Sequence, residues 1–69
     1  MKKQVKIDSE YIKLDQLLKL ADVVGSGGHA KILILNGEIK VNEEITVQRG
    51  KKIRSGDKVI YEDIEIEVI

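Results

Sequence analysis

The hydrophobic period of this chain changes twice, and those two changes limit the folds open to it. From Gln4 to Asp8 polar and apolar residues alternate, with Val5 and Ile7 on one side, as in a short edge strand. From Leu14 the spacing switches. Leu14, Leu17, Leu18 and Ala21 stand at i, i+3, i+4 and i+7, the apolar stripe of an amphipathic helix. After Gly37 the period returns to two, through Ile39 and Val41, then Val59 and Tyr61, then Ile64, Ile66 and Val68. Of the 29 apolar residues, 18 are Ile or Val, which favours a sheet over a helix bundle.

The clearest punctuation is Gly25-Ser26-Gly27-Gly28. It separates a first helix, expected to stop near Asp22 or Val23, from a second that Ser26 caps and that runs to about Asn36. Asp15 sits in the first turn of the first helix, where a carboxylate suits the positive end of the dipole. Ala30, Leu33 and Ile34 form the core face of the second helix, and Gly37 is its left-handed terminator. Ile32 and Leu35 lie off that face, so the helix is either buried on two sides or carries a partner surface. Asn42-Glu43-Glu44 is expected to turn, Ile45-Thr46-Val47 to form a short strand, and Gln48 to Arg54 to be a basic loop anchored by Ile53. Ser55-Gly56-Asp57 reads as a further turn. The expected fold is α+β: two adjacent helices packed on one side of a small, mostly antiparallel sheet, in a single domain over residues 1–69. A chain of this length buries only about 60% of its unfolded surface.

Several functions fall away on composition. There is no cysteine, so neither a disulfide scaffold nor a thiolate metal site is open. One histidine, His29, builds no zinc centre alone. No apolar run approaches the roughly 18 residues of a membrane span, and no signal pattern opens the chain, so a cytoplasmic address without membrane contact is expected. The acids are scattered, and Ser26 with His29 lacks an orienting acid, so no enzymatic activity, small-molecule substrate or cofactor is expected. Two aromatics, Tyr11 and Tyr61, are too few for a base-stacking platform of the RRM type, so sequence-specific base reading is not expected.

Formal net charge is zero, yet it is unevenly spread. Arg49 to Lys58 holds five bases (Arg49, Lys51, Lys52, Arg54, Lys58) against one acid, Asp57. Val59 to Ile69 holds four acids (Glu62, Asp63, Glu65, Glu67) and no base. A local basic patch therefore hides in the average.

The order of these features resembles the S4, or alpha-L, RNA-binding domain, shared by a small-subunit ribosomal protein, pseudouridine synthases and tyrosyl-tRNA synthetases. Lys13-Leu14-Asp15 stands where the family starts its first helix, and Ser26, Ala30, Leu33, Ile34 and Gly37 match its second. Ile39-Lys40-Val41-Asn42 matches the Val-x-Val-Asn-Gly strand and turn, with Glu43 replacing the glycine, and Gly56-Asp57 matches the Gly-Asp before the last strands. More narrowly, Leu14-Asp15-Gln16, Ser26-Gly27-Gly28, Ala30-Lys31 and Arg49-Gly50-Lys51-Lys52 resemble small stand-alone bacterial S4 proteins of the YaaA type. Where many S4 domains carry an arginine after the cap serine, this chain has Gly27 and Gly28.

The resemblance implies a ribosome-associated module for structured RNA, of the rRNA or tRNA class, gripping phosphates on one positive face. Its candidate residues are Lys13, the helix end at Ser26, Gly27 and Gly28, then His29, Lys31, Lys40, Arg49, Lys51, Lys52 and Arg54. With about four phosphates neutralised, log affinity should fall with a slope of about −2.8 against log salt. Replacing Arg49, Lys51 and Lys52 with Glu is expected to abolish RNA retention without unfolding the domain. The blander alternative for this run is a solubilising loop balanced by the acidic C-terminal strand. The rival function is a protein-interaction module using Ile32 and Leu35 or an exposed strand edge.

Overall fold

The computed structural model describes residues 1–69. Its elements follow in the order β1 (Lys2–Val5), β2 (Ile12–Lys13), α1 (Leu14–Leu20), α2 (Gly27–Leu35), β3 (Ile39–Val41), β4 (Glu44–Ile45), β5 (Lys52–Ile53), β6 (Lys58–Tyr61) and β7 (Ile64–Val68). Five strands form one sheet in the order β1-β7-β6-β3-β4. Within it β3, β4, β6 and β7 pair antiparallel, and β1 runs parallel to β7 along the edge. The strands β2 and β5 form a separate antiparallel pair.

Period two decides which sheet face is buried. Ile39, Val41, Val59, Ile66 and Val68 turn inward, where they join Leu14, Leu17, Leu18 and Ala21 of the first helical stretch and Ala30, Leu33 and Ile34 of α2. Val24 and Ile53 complete this cluster of 14 buried residues. Both stripes of the helices are thus consumed by one core. Ile32 and Leu35 are not: they remain 57% and 52% exposed, so α2 is buried on one side only.

The helix ends are closed by backbone geometry. Asp22 and Gly37 both take left-handed φ, at 61° and 73°. After α1 the Asp22 N–H donates to the Lys19 carbonyl and the Val23 N–H to the Leu18 carbonyl. After α2 the Gly37 N–H donates to Ile34 and the Glu38 N–H to Leu33, the paired bonds of a Schellman cap. Lys3 adds its ammonium to the Ala21 carbonyl at 3.0 Å, a cation at the negative end of α1.

The segments between Glu43 and Arg54 differ from expectation. Only Asn42 and Glu43 turn, both at positive φ (50° and 74°), so Glu44 already pairs with Val41. The strand then ends after Ile45 instead of running to Val47; the Thr46 N–H still donates to the Ile39 carbonyl, and the Gln48 N–H donates to the Thr46 hydroxyl within the loop that follows. The edge strand near the N-terminus begins at Lys2, ahead of Gln4, although the Ile7 N–H still reaches the Ile69 carbonyl. The stretch Gln48 to Arg54 is not wholly a loop, since Lys52–Ile53 is a strand.

A two-residue turn with both residues at positive φ favours Asn-Gly, and Glu at the second place carries the steric cost of a Cβ. Glu43→Gly should therefore raise stability by about 0.5 kcal/mol, or about 2–4 °C in Tm, after the greater unfolded-state freedom of glycine is counted. Glu43→Ala keeps the Cβ and should leave Tm unchanged. Equal Tm values for Glu43→Gly and Glu43→Ala would contradict this account of the turn.

Candidate functional site

The first helix begins without a side-chain cap, since its N-cap residue is Lys13, whose side chain has no acceptor. Its free N–H groups are closed by a distant segment. Leu14 N–H donates to the Lys51 carbonyl at 2.9 Å, and Asp15 N–H to the Arg49 carbonyl at 3.1 Å. Asp15 Oδ1 accepts from Gln16 N–H at 2.8 Å. The other oxygen, Oδ2, takes both Nε and Nη2 of Arg49 at 3.3 Å. Asp15 is 6% exposed and is the one charged residue among those buried, whereas the Arg49 side chain is half exposed. A helix start, a loop and an ion pair thus form one joint.

That joint sets the register of β2 on β5. Ile12 lies opposite Ile53, and Lys13 opposite Lys52. The two isoleucines face the core, so their neighbours face solvent. One step along the register places Tyr11 by Arg54. The Lys52 ammonium stands 5.0 Å from the centre of the Tyr11 ring, and the Arg54 guanidinium carbon 6.0 Å. The outer face of this pair therefore shows Tyr11, Lys13, Lys52 and Arg54. Neither lysine nor Arg54 has a carboxylate within salt-bridge distance; the two ion pairs present are Lys2–Glu65 and Arg49–Asp15.

Asp57 holds the far end. Its Oδ2 accepts the Arg54 N–H at 2.8 Å, and its Oδ1 accepts the Asn42 amide at 3.0 Å. The Asn42 oxygen in turn accepts the Lys58 N–H at 3.0 Å. Partial burial pushes the Asp57 carboxyl up, but the bonds from Arg54 and Asn42 and the charges of Arg54 and Lys51 outweigh it, so its pKa is lowered.

The expected site residues are divided by this geometry. Lys13, Lys52 and Arg54 are brought together. Arg49 lies beside them, but it closes on Asp15 and so serves the joint. Lys51 lines a cleft of about 420 Å³ between the β3–β4 hairpin and the following segment, together with Asn42, Glu44 and Gln48. Lys40 is set apart, since Ile39 and Val41 turn into the core and Lys40 lies on the opposite sheet face, between Ile60 and Ile45. A single positive face reaching from Lys13 to Lys40 is therefore not what the structure shows.

Ser26, Gly27, Gly28, His29 and Lys31 lie at the start of α2, where the Ser26 hydroxyl accepts the His29 N–H at 3.2 Å. The Gly27 and Gly28 N–H groups have no backbone partner. No hydrogen bond or cleft joins this helix end to residues 49–54. The acidic strand does not cancel the basic face either. Glu65 and Glu67 of β7 lie on the outer sheet face, where Lys2 approaches Glu65 at 3.9 Å and Gln4 donates to Glu67 at 2.8 Å.

Residues 5–69 match the family model described as S4 domain, and the chain belongs to that family. It is also 47% identical over 62 residues to a protein named Probable ribosome maturation protein RlbA from Bacillus subtilis (strain 168), an alignment that covers 90% of this chain and 87% of that protein. No group of three or more His, Cys, Asp or Glu side chains is placed to hold a metal ion. No helix is long and apolar enough to cross a membrane.

Two outcomes follow from the joint and the clamp. Arg49→Met should cost about 1–2 kcal/mol in urea denaturation, because it strips both guanidinium bonds from a buried carboxylate oxygen, whereas Lys52→Met should stay within about 0.5 kcal/mol. Equal effects would show that the Arg49–Asp15 pair carries nothing. Because the folded-state pKa of Asp57 is lowered, its contribution is complete above the ordinary carboxylate range and drains as pH falls through that range toward the folded value. Asp57→Asn should flatten the stability profile below about pH 4; an unchanged acid limb would refute the clamp.

Proposed function

We propose that this protein is a non-catalytic, cytoplasmic module for structured RNA, spanning residues 1–69, which holds phosphates on the exposed face of the β2–β5 pair. The observation that carries the reading is the direct cross-strand opposition of Lys13 and Lys52. Like charges facing each other across strands are destabilising, and here neither lysine forms a salt bridge. A polyanion does relieve them. Arg54 extends the same face with a planar fork suited to phosphate. The S4 family membership and the name of the Bacillus subtilis relative support a ribosomal setting, with rRNA or tRNA as the target. Ser26, Gly27, Gly28, His29 and Lys31 form a second contact region at the start of α2, and Lys51 a third in its cleft.

A second reading, a protein contact through Ile32 and Leu35, draws on their exposure. Leu35→Lys should leave RNA affinity unchanged if RNA is the partner of the basic face.

The geometry changes the experiment that the sequence suggests. Reversing Arg49 would set a second carboxylate against buried Asp15 and disturb the fold, so Arg49 is kept. Lys13→Glu places an acid opposite Lys52 instead, a pairing expected to raise stability by about 0.2–1 kcal/mol. The same variant should lose RNA affinity. With about three phosphates on the face, binding of a structured RNA hairpin should follow salt with a slope of about −2.7, about a twentyfold loss per threefold rise in salt. A hairpin bound equally by wild type and by folded Lys13→Glu, or bound without regard to salt, would defeat the reading.

A further inference from the structure

The Tyr11 ring has no place in a purely phosphate-holding face, yet it is at the centre of this one. It is partly exposed, it neighbours β2, and two cations from the end of β5 lean on it. We infer that Tyr11 is a stacking site for one unpaired nucleobase, with Lys52, Lys13 and Arg54 taking the phosphates on either side. The inference rests on the phosphate reading and adds to it the form of RNA that fits. A nucleotide inside an uninterrupted helix presents its phosphates but not the flat side of its base. A bulged or loop nucleotide presents both.

The local geometry suits that division of labour. Residues 11 and 13 share the exposed side of their strand, as do 52 and 54 of theirs, because Ile12 and Ile53 are turned inward. An aromatic surface and three cations are thereby placed on one side of a two-stranded pair. In the free protein Lys52 covers the ring at 5.0 Å. Its ammonium is borne on a flexible four-carbon stem, so a base replaces it on the ring while the ammonium moves to a phosphate of the same nucleotide. The Ser9 hydroxyl donates to the Tyr11 carbonyl at 2.7 Å, which steadies the backbone that presents the ring. Stacking of this kind is tolerant of base identity, because every base has a flat π face. The site therefore reads the presence of an unpaired nucleotide and not its letter.

Three RNA hairpins with the same number of phosphates, each closed by the same loop of abasic nucleotides, test this: one with a fully paired stem, one with a single bulged uridine in the stem, and one with an abasic nucleotide at the bulge. Wild type should bind the uridine bulge about tenfold more tightly than the paired hairpin, within the range measured for base–aromatic stacking. The abasic bulge should fall to the paired level. Tyr11→Phe should keep the preference, and Tyr11→Leu should erase it while still binding the paired hairpin in a salt-dependent way. Equal affinity of wild type for all three hairpins overturns the stacking site but leaves the phosphate face standing. Binding to none of them overturns both. The abasic comparison uses the unaltered protein, so it decides the matter even if Tyr11→Leu fails to fold.

Discussion

The N–H groups of Leu14 and Asp15, at the start of a seven-residue helix, donate to carbonyls of Lys51 and Arg49, and the Arg49 guanidinium closes over the buried Asp15 carboxylate. A helix this short has little stability of its own. Its N-terminus carries a lysine where a polar acceptor would normally stand, so the cap has to come from elsewhere. Residues more than thirty positions away supply it. The position of β5, the pairing of Lys13 with Lys52 and the approach of Lys52 and Arg54 to Tyr11 all follow from this one docking. Arg49 thus acts on the basic face through structure, by holding the strand that displays the other cations.

Neutral composition conceals a strong separation of charge. The carboxylates of β7 are turned to the outer sheet face, where Lys2 and Gln4 meet them, while the helices cover the other face. The β2–β5 pair stands outside this balance. With a Debye length of about 8 Å at physiological salt, the cations there are governed by their near neighbours and not by the molecular total. Asp57 lies at one end of the pair, and its oxygens are engaged by Arg54 N–H and Asn42.

Much of the architecture was legible in the order of residues. The stripes through Leu14–Ala21 and Ala30–Ile34 identified the helix faces that are buried, and Ser26 and Gly37 marked the ends of α2. The strands Lys58–Tyr61 and Ile64–Val68 could be bounded because Gly56-Asp57 and Glu62-Asp63 interrupt the alternation on either side. The β2–β5 pair escaped notice, since two residues per strand give no measurable period. Only the similar triplets Tyr11-Ile12-Lys13 and Lys52-Ile53-Arg54, each with an isoleucine between exposed residues, hinted at it. The Asp15–Arg49 bond was invisible for another reason: each residue had a sufficient local explanation, a first-turn acid and a basic loop. Lys40 was grouped with the cations because sequence shows charge but not which side of a sheet bears it. The two faces of α2 were likewise undecided until Ile32 and Leu35 were found exposed.

Positioning, by this ion pair, of the cations proposed to hold RNA has an unusual sign, which makes it open to a direct measurement. Asp15→Ala removes a negative charge close to the basic face, so simple electrostatics would have it bind a structured RNA hairpin more tightly. Positioning demands the reverse, because release of Arg49 loosens β5 and disperses Lys52 and Arg54. Affinity of folded Asp15→Ala for the hairpin, measured at constant salt, should therefore fall below that of wild type. Tighter binding would contradict the account and reduce Asp15 to a carboxylate that merely opposes the ligand.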